Sequence, residues 1–151
     1  MIDLIGPERI AADMVAGGKR EALLELAQLV QKTCPAIDAE KLRTTLWERE
    51  MLGSTGLGDS IAIPHGKISE IEKIEIFFGR SVKGLPFDAL DNKPTHLFFL
   101  LLAPIKSAAP YLRCLGQLSR FLKSPHVRSQ LLHASDTDEI VKILAGIREF
   151  S

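Results

Sequence analysis

A chain of 151 residues can bury one proper hydrophobic core, so we expect a single domain that spans residues 1–151. Nineteen basic residues balance nineteen acidic ones, which leaves no overall field to draw the protein towards nucleic acid or an anionic membrane. The longest apolar run, Leu97 to Ala103, is too short to cross a bilayer, and the N-terminal residues lack the pattern of a signal peptide. These features predict a cytoplasmic protein with no nucleic-acid partner and no membrane insertion.

Hydrophobic periodicity divides the chain into helices and short strands. In chain order, the patterns predict helices at 7–15, 19–32 and 39–51, strands at 61–63, 73–82 and 95–103, and helices at 108–123, 125–133 and after Ser135. Short connections or turns are predicted at 66–72, 83–86 and 88–94. The sum is a single α/β domain in which helices flank both faces of a small mixed β-sheet.

Three helices have predicted starting residues. Pro7 suits the first position of a helix, because its φ is already helical and its missing N–H is not needed there. Asp38 is a suitable N-cap for the third helix, since its carboxylate can accept hydrogen bonds from the first turn. Ser135 and Asp138 have the spacing of a capping box at the start of the last helix.

The segment from Leu46 to Lys67 contains the candidate site. It runs from the end of a helix through a glycine-rich loop, Gly53 to Gly58, into the short apolar strand 61–63. Pro64 fixes its own φ and offers no N–H, which suits the end of a strand. His65 follows at once, so we expect an imidazole at a rigid strand end, beside a loop rich in N–H groups and hydroxyls.

Two interpretations of this segment are open from the residues alone. The imidazole of His65 can take up a phosphoryl group or another anion, or His65 can simply end the strand with one backbone hydrogen bond. Arg49 lies one turn before the glycine loop, on the helix side that faces the core, where a guanidinium needs a partner or an anion. An ion pair with a carboxylate such as Glu50 or Asp59 is an equally good explanation of Arg49.

Other motifs of nucleotide, hydrolase and metal sites are absent. Gly53 and Gly58 have the spacing of a Walker A loop, but Asp59 occupies the position of its lysine. The dinucleotide fingerprint and the G-x-S-x-G motif are also missing. The four histidines and two cysteines have no metal-ligand spacing, so we expect no metal and no cofactor. Tyr111 is interpreted as a half-buried packing residue with its hydroxyl near the surface.

The residues of the candidate site resemble the signature of enzyme IIA (EIIA) domains of the bacterial phosphoenolpyruvate-dependent phosphotransferase system, of the fructose/mannitol class that includes a nitrogen-regulatory branch. The similarity is carried by Arg49-Glu50, by the loop Gly53 to Gly58 and by Ile61 to Lys67. A second similar block is Phe87 to Asp91, and the likeness covers essentially the whole chain.

This resemblance implies a phosphohistidine carrier. His65 would accept a phosphoryl group from phosphorylated HPr or from its nitrogen-branch paralogue. Neutral imidazole is a nucleophile, and phosphoryl transfer needs mainly in-line positioning and charge stabilisation. Arg49 matches the family's arginine beside the site, and Ser54, Thr55 and Gly66 would support the phosphoryl group.

Tyr111 departs from the family pattern. The family usually carries a second histidine here, in a His-Leu pair, whereas this chain has Tyr111-Leu112. A tyrosine can donate a hydrogen bond but has no positive charge at neutral pH. We therefore expect transfer on His65 with an altered rate or an altered phosphohistidine lifetime, or impaired transfer.

Three functions follow from the resemblance. The first is a regulator that acts through its phosphorylation state on a target protein. The second is a sugar-transport EIIA that passes its phosphoryl group to an enzyme IIB. The third, of a different class, is a binding module that has kept the fold and lost the chemistry, with Tyr111 as the trace of that loss.

Overall fold

The computed structural model of the chain describes residues 5–150. The predicted domain also includes residues 1–4 and 151, which lie outside the described residues. The strands are β1 (Ile10–Ala11), β2 (Gly56–Gly58), β3 (Ile61–Ala62), β4 (His65–Ile68), β5 (Glu75–Leu85) and β6 (Thr95–Pro104). The α-helices are α1 (Lys19–Thr33), α2 (Ala39–Met51), α3 (Ala108–Leu122), α4 (Pro125–His133) and α5 (Thr137–Leu144), and short 3₁₀ helices span Pro7–Arg9 and Ala145–Phe150.

The sheet is built around β6, as its continuous apolar sequence predicts. The strand order is β1-β5-β6-β3-β2, and β4 pairs with the later part of β6. β5 runs antiparallel to β6, whereas β3 and β4 are parallel to it. The register sets Ile61 opposite Leu97 and His65 opposite Leu101, so β3 and β4 follow one another along the same edge of β6.

Helices cover both faces of this mixed sheet. Alternate residues of a strand point to opposite faces, and β6 therefore supplies two separate cores. Phe98 and Leu100 pack in one core with α1 and α2, whereas Phe99 and Leu101 pack in the other with α3, α4 and α5. The predicted α/β fold with helices on both faces is confirmed.

The predicted helix at 7–15 is wrong. Pro7–Arg9 forms a single 3₁₀ turn, and Ile10–Ala11 then pairs in parallel with Phe78 and Gly79 of β5. A helix of about two turns is marginal on its own, because one turn must be nucleated for few hydrogen bonds. The free edge of β5 offers backbone hydrogen bonds and also a place to bury Ile10.

Three further boundaries differ from their predictions. The expected connection after His65 begins with a strand, β4, which its pairing with β6 stabilises. The expected turn at 83–86 lies largely inside β5, where Gly84 adopts a φ of +79° and Leu85 pairs with Thr95. The last helix is capped one residue later than predicted, since the Asp136 carboxylate accepts from the Glu139 N–H.

The starts of α1, α2 and α4 agree with their predictions, and the Asp38 side chain does cap α2.

Among residues 5–150, no helix is long and apolar enough to cross a membrane. Within the same residues, no three His, Cys, Asp or Glu side chains are grouped so that they could hold a metal ion.

Candidate functional site

His65 is the first residue of β4 and lies half-buried at the edge of β6. The carbonyl of Pro64 accepts a hydrogen bond from the Leu101 N–H at 2.9 Å, which joins the proline to the central strand just before the histidine. The end of α2 and the first turn of α3 approach the ring from either side, through Arg49 and Tyr111. The rigid strand-end imidazole expected from the sequence is therefore present.

Both ring nitrogens of His65 have hydrogen-bond partners. Nδ1 lies 2.9 Å from the carbonyl oxygen of Ile63, and Nε2 lies 3.0 Å from Nε of Arg49. A carbonyl can only accept and a guanidinium can only donate, so the proton is on Nδ1 and the lone pair is on Nε2. The ring is thus held as the neutral tautomer whose nucleophilic atom is Nε2.

The environment keeps this ring neutral. Burial lowers the pKa of His65 below its ordinary value, and the positive charge of Arg49 lowers this pKa further. The hydrogen bond to Ile63 and the negative charge of Glu50 act in the opposite direction, and their effect is smaller. At neutral pH the imidazole is therefore available as a nucleophile.

Arg49 is held in place by the loop that follows α2. Its Nη1 donates to the carbonyl of Gly53 at 2.8 Å, while its Nε donates to His65. No ion pair joins Arg49 to Glu50 or Asp59, and the carboxylate of Glu50 pairs instead with Nζ of Lys19 at 2.7 Å. The ion-pair explanation of Arg49 is therefore wrong, and a cation lies directly beside the nucleophile.

An open cavity of about 290 Å³ lies over the histidine. It is lined by Thr45, Arg49, His65, Gly66, Lys67 and Tyr111. Two of these side chains are cations, so the cavity can hold a small anion against His65. Lys67 was missed as a site residue in the sequence, because an exposed lysine after a glycine looks like ordinary surface. Lys67 follows His65 at the interval that returns a strand to the same face, but this relation becomes visible only when the pairing with β6 defines β4.

Tyr111 packs beside the candidate nucleophile. Its ring centroid lies 5.6 Å from that of His65, with the planes tilted by 46°. The side chain is half-buried, as predicted, and burial raises the pKa of its phenol while Arg49 opposes that rise. The hydroxyl therefore stays protonated at neutral pH and can donate a hydrogen bond, but it adds no charge.

The hydroxyls of Ser54 and Thr55 are engaged within the protein. Oγ of Ser54 donates to the carbonyl of Phe87 at 2.9 Å and accepts from the Gly56 N–H at 3.0 Å. Thr55 is buried, and its hydroxyl donates to the carboxylate of Glu50. These two residues support the loop in this structure, and their direct contact with a phosphoryl group stays a prediction.

Gly66 borders the cavity where α2 passes closest. A Cβ at this position would lie 3.3 Å from Cγ2 of Thr45 and 3.5 Å from Cδ2 of Leu46, so a larger side chain would fill space beside His65. Glu50 was not predicted as part of the site, although it lies behind Arg49 and is only 4% exposed. Its buried partner, Lys19, belongs to a different helix and could not be identified from local sequence.

Comparison with known proteins identifies the family of the chain. A family model described as "Phosphoenolpyruvate-dependent sugar phosphotransferase system, EIIA 2" matches residues 3–146. A nitrogen regulatory protein of Bradyrhizobium diazoefficiens is 34% identical over 143 residues, which are 95% of this chain and 93% of that protein. A fructose-specific EIIA component of Haloferax volcanii is also 34% identical, over 94% of this chain and 92% of its own length.

The fold of this chain is also found in a solved structure. The crystal structure of the nitrogen regulatory protein IIA-Ntr from Neisseria meningitidis superposes with a TM-score of 0.85 and 31% identity, over 93% of this chain and 96% of that one. The shared fold, the family match over nearly the whole chain and the site around His65 lead to one conclusion. This chain belongs to the EIIA 2 family of the phosphoenolpyruvate-dependent sugar phosphotransferase system.

Proposed function

We propose that this protein is a phosphoryl carrier in which Nε2 of His65 accepts a phosphoryl group from a phosphorylated HPr-type protein. The observation that carries the proposal is the neutral imidazole with its lone pair on Nε2, directed at Arg49 on the edge of an open cavity. HPr or its nitrogen-branch paralogue is the donor, and the exchange takes place in the cytoplasm.

The groups at this site account for each bond that forms or breaks in the transfer and for the charge that develops. The Nε2 lone pair forms the new N–P bond while the N–P bond of the donor's phosphohistidine breaks, and the donor keeps that electron pair. The imidazole of His65 gains positive charge as it attacks, and the Nδ1–H bond to the Ile63 carbonyl stabilises that charge. No proton has to leave Nδ1.

Arg49 has to move before the bond can form, because its Nε–H occupies the lone pair of Nε2 in this structure. Once it has turned aside, the same N–H can donate to an oxygen of the phosphoryl group, while Nη1 keeps its bond to Gly53. Gly66 and Lys67 border the cavity on the β4 side, and the Tyr111 hydroxyl can add a neutral donor.

A mass measurement tests the carrier function. The purified protein is incubated with phosphoenolpyruvate, enzyme I and HPr or its paralogue, and its intact mass is followed. We expect one acid-labile phosphoryl group on the wild type and none on His65→Ala. The control variant His126→Ala, which replaces an exposed histidine outside the cavity, should also carry one phosphoryl group. Failure of the wild type to take up phosphoryl groups from either carrier would contradict the proposal.

Of the two uses of such a carrier, we favour regulation of a target protein. The carrier's phosphorylation state would control binding to the target protein, and the Bradyrhizobium relative, which is named a nitrogen regulatory protein, supports a regulatory use. A sugar-transport EIIA that passes the group to an enzyme IIB is the second candidate, because a fructose-specific component is equally similar at 34% identity. Rapid loss of the phosphoryl group on addition of an enzyme IIB would favour the second candidate.

A binding module without phosphoryl chemistry is the remaining alternative. The presence of both His65 and Arg49 argues against a binding module, whereas Tyr111 in place of the family's usual histidine is consistent with one. If partner binding alone is the function, His65→Ala should bind its target as tightly as the wild type and should be equally unaffected by the donor carrier.

A further inference from the structure

A buried carboxylate lies directly behind the candidate site. Glu50 follows Arg49 in α2, and its side chain is only 1% exposed. Its carboxylate accepts from Nζ of Lys19 at 2.7 Å, from the Thr55 N–H at 3.1 and 3.2 Å, and from the Thr55 hydroxyl. A buried carboxylate with this many donors fixes the position of its partners, because none of them can turn to water instead.

One path from Glu50 leads to Nδ1 of His65. The carbonyl of Thr55 accepts a hydrogen bond from the Ile63 N–H at 3.0 Å. The carbonyl of Ile63 then holds Nδ1 of His65 at 2.9 Å. Thr55, which the Glu50 carboxylate fixes at two points, therefore fixes the peptide that selects the tautomer of His65.

A second path leads to Nε2 of the same ring. The loop residue Gly53 lies two positions before Thr55, and its carbonyl accepts from Nη1 of Arg49 at 2.8 Å. Nε of Arg49 donates to Nε2 of His65. Both hydrogen bonds of the imidazole thus depend on the loop that Glu50 anchors.

Lys19 extends the anchor to the rest of the domain. Its ammonium is largely buried, contacts Oδ2 of Asp88 at 3.2 Å and lies 4.9 Å from the centre of the Phe87 ring. The carbonyl of Phe87 in turn accepts from Ser54 of the loop. The first turn of α1 and the segment before β6 are therefore tied to the same carboxylate.

We propose that Glu50 is a positioning residue for phosphoryl transfer: its buried carboxylate, neutralised by Lys19, fixes the loop after α2 so that Arg49 and Ile63 hold the two nitrogens of His65. Glu50 touches neither the histidine nor the cavity: it positions them through Thr55, and its charge also raises the pKa of His65 by a small amount. This inference rests on the proposed carrier function, which it extends from the reacting residues to the network that holds them.

The test compares Glu50→Gln with Glu25→Gln. Glu25 is a matched control, since its carboxylate also accepts from the backbone, here from the N–H groups of Val15 and Ala16, but it lies in α1 away from the loop. The first readout is the nitrogen NMR spectrum of the unphosphorylated proteins, which reports the tautomer of His65 and the protection of the Arg49 Nε–H. The second is the kcat and KM for phosphorylation by the donor carrier.

We expect Glu50→Gln to mix the two tautomers of His65, to expose the Arg49 Nε–H to rapid exchange and to lower kcat by about a hundredfold with KM nearly unchanged. Glu25→Gln should leave all of these quantities at wild-type values. Wild-type NMR signals and kcat in Glu50→Gln would overturn the proposal, and so would a lower kcat with unaltered NMR signals.

Two further variants keep the test decisive if Glu50→Gln does not fold. Thr55→Val removes only the hydroxyl donor, so it should change the same signals by a smaller amount, and Thr55→Ser should restore them. Equal spectra of Thr55→Val and the wild type would overturn the proposal. If the wild type accepts no phosphoryl group while the NMR changes occur as expected, the carrier function fails and the positioning network stands.

Discussion

The Nε–H of Arg49 donates to Nε2 of His65 at 3.0 Å. The guanidinium therefore occupies the lone pair of the candidate nucleophile in the unphosphorylated protein. This contact has two consequences. If His65 accepts a phosphoryl group as proposed, the contact shields Nε2 in the unphosphorylated protein, and it keeps a hydrogen-bond donor where the phosphoryl oxygens would lie. Activation then requires a movement of one side chain whose second anchor, the Gly53 carbonyl, can remain in place.

Removing the guanidinium should slow phosphorylation strongly. Arg49→Gln loses both the charge and the donor directed at Nε2, and we expect a fall in the phosphorylation rate of about a hundredfold or more. Arg49→Lys keeps the charge without the two-donor geometry and should recover only part of the rate. Arg43→Gln, on the same helix with an exposed Glu40 partner, is the control and should be as active as the wild type. A rate within twofold of the wild type for Arg49→Gln would exclude a role of Arg49 in transfer.

The pH dependence of phosphorylation follows from the lowered pKa of His65. Only the neutral ring is a nucleophile, so the rate should be constant around neutral pH and should fall at a pH below 6.5, the ordinary value for histidine. Stability changes in the same direction. The unfolded chain binds the proton more readily than the folded one, so the contribution of His65 is fully present above pH 6.5. It is lost progressively as the pH falls from 6.5 through the lowered pKa of the folded protein.

An NMR titration of the His65 ring gives this pKa directly, and the rate profile is measured beside it. A midpoint for His65 at or above 6.5, the ordinary value for histidine, would contradict the effects of burial and of the Arg49 contact on this pKa.

The Tyr111 hydroxyl should contribute to transfer as a neutral donor. Tyr111→Phe keeps the ring that packs 5.6 Å from His65 and removes only the O–H, so we expect a rate about tenfold lower. Tyr111→His restores the residue that is usual in the family and should change the lifetime of the phosphohistidine. The lifetime is measured as the decay of the phosphorylated mass after the donor has been removed. Wild-type kinetics in Tyr111→Phe would mean that only the ring of Tyr111 matters.

A buried arginine outside the site should control stability. Arg80 in β5 is 3% exposed, and its Nη1 donates to the carbonyls of Leu131 at 3.0 Å and of Ala134 at the end of α4. Arg80→Met leaves these carbonyls without donors, and we expect a loss of about 3 kcal/mol in the free energy of unfolding. Urea denaturation measures this loss. A change below about 1 kcal/mol would show that water replaces the guanidinium at no cost.

The sequence predicted those parts of the molecule that depend on local order along the chain. The positions of Arg49 and His65 follow from a helix, a loop and a strand end that are adjacent in sequence. β4 was missed because His65 to Ile68 carries no alternating pattern, and only its pairing with β6 makes it a strand. The ion pair of Glu50 and Lys19 was missed for a similar reason, since it joins the ends of two helices that meet only in the folded domain.

The same distinction explains the loop hydroxyls. Ser54 and Thr55 lie next to the candidate site in sequence and were expected to support an anion. In the fold their hydroxyls donate to the Phe87 carbonyl and to the Glu50 carboxylate, which are always present, whereas a phosphoryl group would be present only part of the time. Local sequence identified the right segment, whereas tertiary contacts decide which of its groups are free.

The proposed transfer to His65 is tested by locating the phosphoryl group on the protein. The protein is labelled with ¹⁵N in its histidine rings, phosphorylated by phosphoenolpyruvate, enzyme I and HPr or its paralogue, and examined by nitrogen and phosphorus NMR. We expect one phosphoryl group bonded to Nε2 of His65, with the proton still on Nδ1. A phosphoryl group on Nδ1 or on another residue, or none with either donor, would contradict this proposal.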